Sequence, residues 1–72
     1  MYPQNPFKKG SQNFRLYERL MKGPVTNSEI IREMGVFNST GRCSEVREFV
    51  KQHGIDLIAR PLGEGLWQYN LT

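Results

Sequence analysis

The sequence predicts a small α+β domain of three helices followed by a β-hairpin. Two helix boundaries are written out in capping residues and glycines, and the apolar period changes from 3.6 to 2 after Gly54. Paired glycines then separate the two period-2 runs. The chain has 72 residues, enough for one domain, and its 11% aromatic content excludes a disordered tail.

The first ten residues hold Pro3, Pro6, Gly10 and the pair Lys8-Lys9 without periodicity, and they read as a flexible basic arm ahead of a domain over 11–72. Ser11 is the expected N-cap of the first helix. Phe14, Leu16, Tyr17, Leu20 and Met21 form its apolar stripe, and Gly23-Pro24 ends it. Thr26-Asn27-Ser28-Glu29 is a capping box, with Val25 and Ile30 spaced as a hydrophobic staple. The helix it opens, about 27–34, is expected to bury Ile30, Ile31 and Met34 and to stop at Gly35. Asn38 and Ser39 are cap candidates for a third helix that runs to about Gln52 and stops at His53-Gly54.

On that third helix Cys43, Val46, Phe49 and Val50 fall on one side, and Thr40, Ser44, Arg47, Glu48 and Lys51 on the other. Ile55, Leu57 and Ala59 then alternate with polar neighbours, as do Trp67, Tyr69 and Leu71, with the tip lying within 61–65. Val25 is a candidate for a short third strand.

Several functions are excluded. No apolar run approaches the roughly 18 residues of a membrane span, and the start MYPQNPFKKG has no signal-peptide apolar segment. A lone cysteine, Cys43, forms no internal disulfide and reads as cytosolic. Cys43 and His53 are too few soft ligands for structural zinc, so neither metal nor cofactor is expected. So few candidate groups argue against an enzyme.

Two helices joined by a short glycine-containing turn are a helix-turn-helix unit, and a hairpin directly after them makes the arrangement a winged helix. VTNSEI before the turn, STGRCSEVRE in the third helix, HGIDLIAR in the first hairpin strand and GLWQYNL in the second resemble the small winged helix-turn-helix proteins of bacteriophages and bacteria. The resemblance covers about residues 11–71. It implies binding to double-stranded DNA in a bacterial or phage-infected cytoplasm, with the helix from Ser39 as reader and the Leu62–Leu66 tip as wing. Transcription regulation and recombination or excision are both roles of such proteins.

Residue chemistry names the candidates. Thr40, Ser44, Arg47 and Lys51 form a polar stripe suited to a groove: Arg can take guanine bidentately, the Thr methyl can meet thymine, and Lys can meet phosphate. The same stripe is also what a solvated helix face looks like. Arg42 either braces the fold or reaches a phosphate. Asn38, Ser39 and Thr40 can offer hydroxyls and free amides to a phosphate, although capping explains the first two as well. Arg60 is the hairpin's cation, and Trp67 and Tyr69 are expected to pack onto the helices. Cys43 reads as a small buried residue and His53 as a helix-terminus charge.

Residues 1–27 carry a surplus of four positive charges, residues 28–54 are neutral, and residues 55–72 have a deficit of one. Lys8 and Lys9 are therefore expected to add salt-sensitive attraction while the third helix selects sequence. Glu45 and Glu48 are costly beside a phosphate backbone unless Arg or Lys offsets them, and the neutral balance of residues 28–54 keeps open a protein-interaction module on the same scaffold. RNA binding would want exposed aromatics on a sheet or loop.

Overall fold

Helix α1 spans Gln12–Lys22, strand β1 Val25–Thr26, helix α2 Asn27–Met34, helix α3 Ser39–Lys51, strand β2 Leu57–Gly63 and strand β3 Leu66–Leu71. The computed structural model describes residues 2–35 and 39–72, the side chains of Ser39 and Thr40 excepted. Asn38 lies outside the described residues.

Local signals account for the helix boundaries. The Ser11 hydroxyl accepts from the Phe14 amide at 3.1 Å and opens α1. At α2 the Thr26 hydroxyl accepts from the Glu29 amide at 3.1 Å, and Glu29 Oε1 accepts from the Thr26 amide at 3.1 Å. That reciprocal box satisfies two otherwise orphaned donors. Gly35 closes α2 at φ 65°, the left-handed conformation that glycine adopts without steric cost.

Val25 does form a strand, and its placement changes the sheet from the expected two-stranded hairpin. Val25 pairs with Tyr69 and Thr26 with Gln68, antiparallel, while β2 pairs with the other edge of β3. The order is β1-β3-β2, so the last strand of the chain is the central one. The architecture is α+β, three helices on a three-stranded antiparallel sheet.

The hairpin is longer and tighter than expected. Strand β2 runs through Pro61 to Gly63, with a register shift between Pro61 and Gly63, and the turn is Glu64-Gly65 alone, at φ 53° and 78°. Two successive positive φ values suit the right-handed twist of the flanking strands. Proline is tolerated because its position is on the free edge. The Asp56 carbonyl faces β3, where it accepts from the Thr72 amide, so by alternation Leu57, Ala59 and Pro61 turn their backbone groups outward. Pro61 removes one exposed donor from that edge.

Leu16, Tyr17 and Leu20 of α1, Val25, Ile30 of α2, Cys43, Val46 and Val50 of α3, and Leu57, Tyr69 and Leu71 of the sheet make the core. Ile31, expected inside, is 42% exposed. Helix α2 has eight residues and turns one face to the core. Ile30 occupies that face, and a residue about 100° further round the helix does not reach it.

Within residues 2–10, expected as a flexible arm, Tyr2, Pro3, Asn5 and Phe7 make contacts with the domain while Gln4, Pro6, Lys8, Lys9 and Gly10 are exposed. Tyr2 and Phe7 pack on the core, the Tyr17 hydroxyl donates to the Pro3 carbonyl at 2.6 Å, and Asn5 Nδ2 donates to the Phe14 carbonyl at 3.0 Å. Apolar side chains at Tyr2 and Phe7 supply the reason, since a solvated arm would leave both in water.

Candidate functional site

Helix α3 organises the surface. At about 100° per residue, Cys43, Val46 and Val50 define its core line, and Gly41 and Glu48 lie opposite. One flank carries Arg42, Glu45 and Phe49, and the other carries Ser44, Arg47 and Lys51. Thr40 shares the second flank by helical position. Ser39 and Thr40 are in the first turn, and their side chains are outside the described set.

The first flank is closed. Arg42 Nη1 meets Glu45 Oε1 at 3.4 Å, and Asn13 of α1 hydrogen-bonds the other Glu45 oxygen. Phe49 meets Tyr17 edge-on with centroids 5.5 Å apart, and Phe7 covers both at 5.8 and 6.3 Å. His53 tilts onto Phe49 at 4.9 Å. Arg42 thus pairs within its own helix, and Glu45 carries the link to α1 through Asn13.

The second flank is open. Arg47 Nε donates to the Leu57 carbonyl at 3.2 Å, which ties α3 to the outer edge of β2 while the residue stays exposed. Between this flank and the hairpin lies a groove of about 480 Å³ with Cys43 and Tyr69 at its base and Asn27, Ser44, Arg47 and Trp67 around it. Burial pushes the Cys43 thiol up to about 11, with the nearby Arg47 charge opposing, so it is an inert part of the wall.

Trp67 and Asn27 complete the groove. Trp67 shares the helix-facing side of β3 with Tyr69 and Leu71, as the alternation predicts, but only those two are buried. Trp67 is 41% exposed because the core ends one strand step before it. Asn27 clamps the hairpin from the start of α2: its Oδ1 accepts from the Trp67 amide at 3.0 Å, and its Nδ2 donates to the Gly65 carbonyl at 3.1 Å. Nothing local marks Asn27 for this, since its partners are 38 and 40 residues away.

The candidate residues do not form one surface. Ser44 and Arg47 face the groove, and exposed Lys51 follows one turn on. Arg60 pairs with Gln68 on the far face of the sheet, beside Pro24, Ile58 and Asn70. Lys8 and Lys9 are exposed at the end of the N-terminal segment, which packs beside the closed flank. Of the N-terminal cations, Arg19 is engaged with Glu29 at 3.7 Å and with the Gly23 and Pro24 carbonyls. Among the described residues no group of three His, Cys, Asp or Glu is placed to hold a metal ion, and no helix is long and apolar enough to cross a membrane.

The chain matches no protein-family model, no curated protein and no solved structure.

Proposed function

We propose that this chain is a non-enzymatic, cytoplasmic DNA-binding protein of the winged helix-turn-helix kind, from a bacterium or phage, acting in transcription regulation or in recombination and excision. The observation that carries this is the open flank of α3, where Ser44, Arg47 and Lys51 stand exposed beside a β-hairpin. A helix with polar, cationic side chains can enter a major groove, and a hairpin next to it can follow the backbone. Arg47, held through Nε, keeps its other guanidinium nitrogens for a base edge or phosphate, and Lys51 supplies a phosphate contact. Lys8, Lys9 and Arg60 lie on other faces and act through longer-range attraction.

Binding of a labelled random-sequence duplex at two salt concentrations tests the proposal. The affinity is expected to fall steeply with salt, and Lys51→Ala to flatten the log–log slope by about 0.9, one phosphate contact. No binding at low salt overturns it. A protein-interaction module is the second reading, favoured by one observation: exposed Glu48, opposite the core line of α3, puts a carboxylate where a DNA reader would put a donor. A duplex that does not bind shifts the assignment to that reading.

A further inference from the structure

The groove between α3 and the hairpin is lined by both an aromatic platform and a tethered cation. Trp67 is 41% exposed although it points to the helix side of the sheet. A ring of this size left half in water at the mouth of a hollow forgoes part of the burial that its neighbours Tyr69 and Leu71 obtain. Its backbone is held firmly. Asn27 takes the Trp67 amide and grips the Gly65 carbonyl, Pro61 sits opposite it on β2, and the two-residue turn lies two positions before it. Arg47 lines the same groove with Nε tied to the Leu57 carbonyl.

An exposed aromatic on an anchored backbone and a tethered cation lining one hollow suit a ligand that is both planar and anionic. The volume, about 480 Å³, falls in the roughly 300–1,000 Å³ range of small-molecule sites. Nucleotides have both properties, with a base face for stacking and a phosphate for the guanidinium. Bases inside a duplex stack on one another and offer no free face, so only an unpaired nucleotide can use Trp67. Glu48 points away from this side of α3, which leaves the phosphate position to Arg47 and Lys51.

We infer that the α3–hairpin groove holds one unpaired nucleotide of the bound DNA, its base stacked on Trp67 and its phosphate against Arg47. The inference rests on the DNA-binding reading and narrows it: the preferred ligand carries a single-stranded segment or frayed end. Base–aromatic stacking of this kind is sequence-tolerant.

Trp67 is the chain's single tryptophan, so intrinsic fluorescence of the full chain reports on the groove directly. Three probes separate the outcomes: an oligothymidylate of about 12 nucleotides, within the 4–16 such surfaces cover, a blunt duplex of the same length, and that duplex with a single-stranded overhang. The single strand and the overhang are both expected to quench Trp67, and the overhang duplex to bind at least about tenfold tighter than the blunt duplex. Trp67→Leu keeps an apolar side chain without a π-face and loses the preference, whereas Trp67→Phe retains most of it. Blunt duplex binding as tightly as the overhang duplex, or a preference that survives in Trp67→Leu, overturns the inference and leaves DNA binding standing. Binding without quenching of the native protein also overturns it. No binding of any probe at low salt overturns both.

Discussion

The two flanks of α3 each carry an arginine, Arg42 and Arg47, and end in opposite states. On the α1 side, Phe7, Tyr17 and Phe49 interlock edge-on, and Glu45 takes one contact from Arg42 and one from Asn13. On the hairpin side, Trp67 faces Ser44 and Arg47 across an unfilled groove. The difference comes from what covers each flank. The N-terminal segment lays Phe7 over one side, and on the other the hairpin projects past the core, tied by Asn27 and Arg47. Stability is therefore concentrated on the closed flank and binding capacity on the open one.

The sharpest way to break that contrast is to truncate one ring on each side. Phe49→Ala removes the ring that Phe7, Tyr17 and His53 share, and is expected to cost about 3 kcal/mol, the low end for a phenylalanine because Phe49 is only partly buried. A domain of this size has about 4–11 kcal/mol in total, so its melting temperature should drop by more than about 10 °C. Trp67→Ala should stay within about 1 kcal/mol of the native chain in the same denaturation experiment. Equal losses would mean that the hairpin side is as tightly integrated as the α1 side.

Asn27 is the next step down. Its amide makes two hydrogen bonds, one to the Gly65 carbonyl within the Glu64-Gly65 turn and one to the Trp67 amide just after it, each worth about 1 kcal/mol net. Asn27→Ala should cost about 1–2 kcal/mol and raise hydrogen exchange at the Trp67 amide while leaving the Tyr69 amide protected. Asn27→Asp keeps the acceptor for Trp67 and loses the donor for Gly65, so it should fall between the two. Unchanged exchange at Trp67 in Asn27→Ala would show that the turn alone orients the hairpin.

What was legible in the sequence follows the same division. The Ser11 cap, the Thr26–Glu29 box, the stop at Gly35 and the period-2 strands involve residues close together in the chain, and local chemistry decides them. The arm is docked by contacts spanning 14 residues, from Tyr17 to Pro3, and 69 residues, from Tyr2 to Leu71. Lys8-Lys9 and two prolines suggested solvation, but burial of Tyr2 and Phe7 outweighs them. Helix phase put Ser44, Arg47 and Lys51 on one flank, yet it carried no information that Arg47 would be tied to Leu57 or that Arg60 would lie on the far face. Strand alternation aimed Trp67 correctly and could not show where the core stops. Depth along an element is set by the neighbours that cover it, and those come from elsewhere in the chain.

The smallest expected effect concerns the residue that holds α2, and so Asn27, in place. The Glu29 carboxyl is held below its ordinary 4.5, chiefly by the Thr26 amide, then by the Thr26 hydroxyl, with Arg19 and Arg32 adding attraction. A carboxyl whose pKa is lowered on folding stabilises the fold above its unfolded value, and that contribution is lost as pH falls through the folded value. Glutamine can still accept from the Thr26 amide, so Glu29→Gln preserves the box geometry and removes only the charge. At neutral pH the variant should be slightly less stable than the native chain, and the gap should close as pH falls from about 5 to 3, as urea unfolding at each pH would show. Because Arg19 reaches Glu29 from α1, this charge also helps join the helix of the closed flank to the one that clamps the hairpin. Loss of the charge should therefore leave the Phe49 side untouched and slightly loosen the Trp67 amide. A gap that widens on acidification would mean that Glu29 is stabilised by its protonated form, and that the joint between the two flanks is not electrostatic.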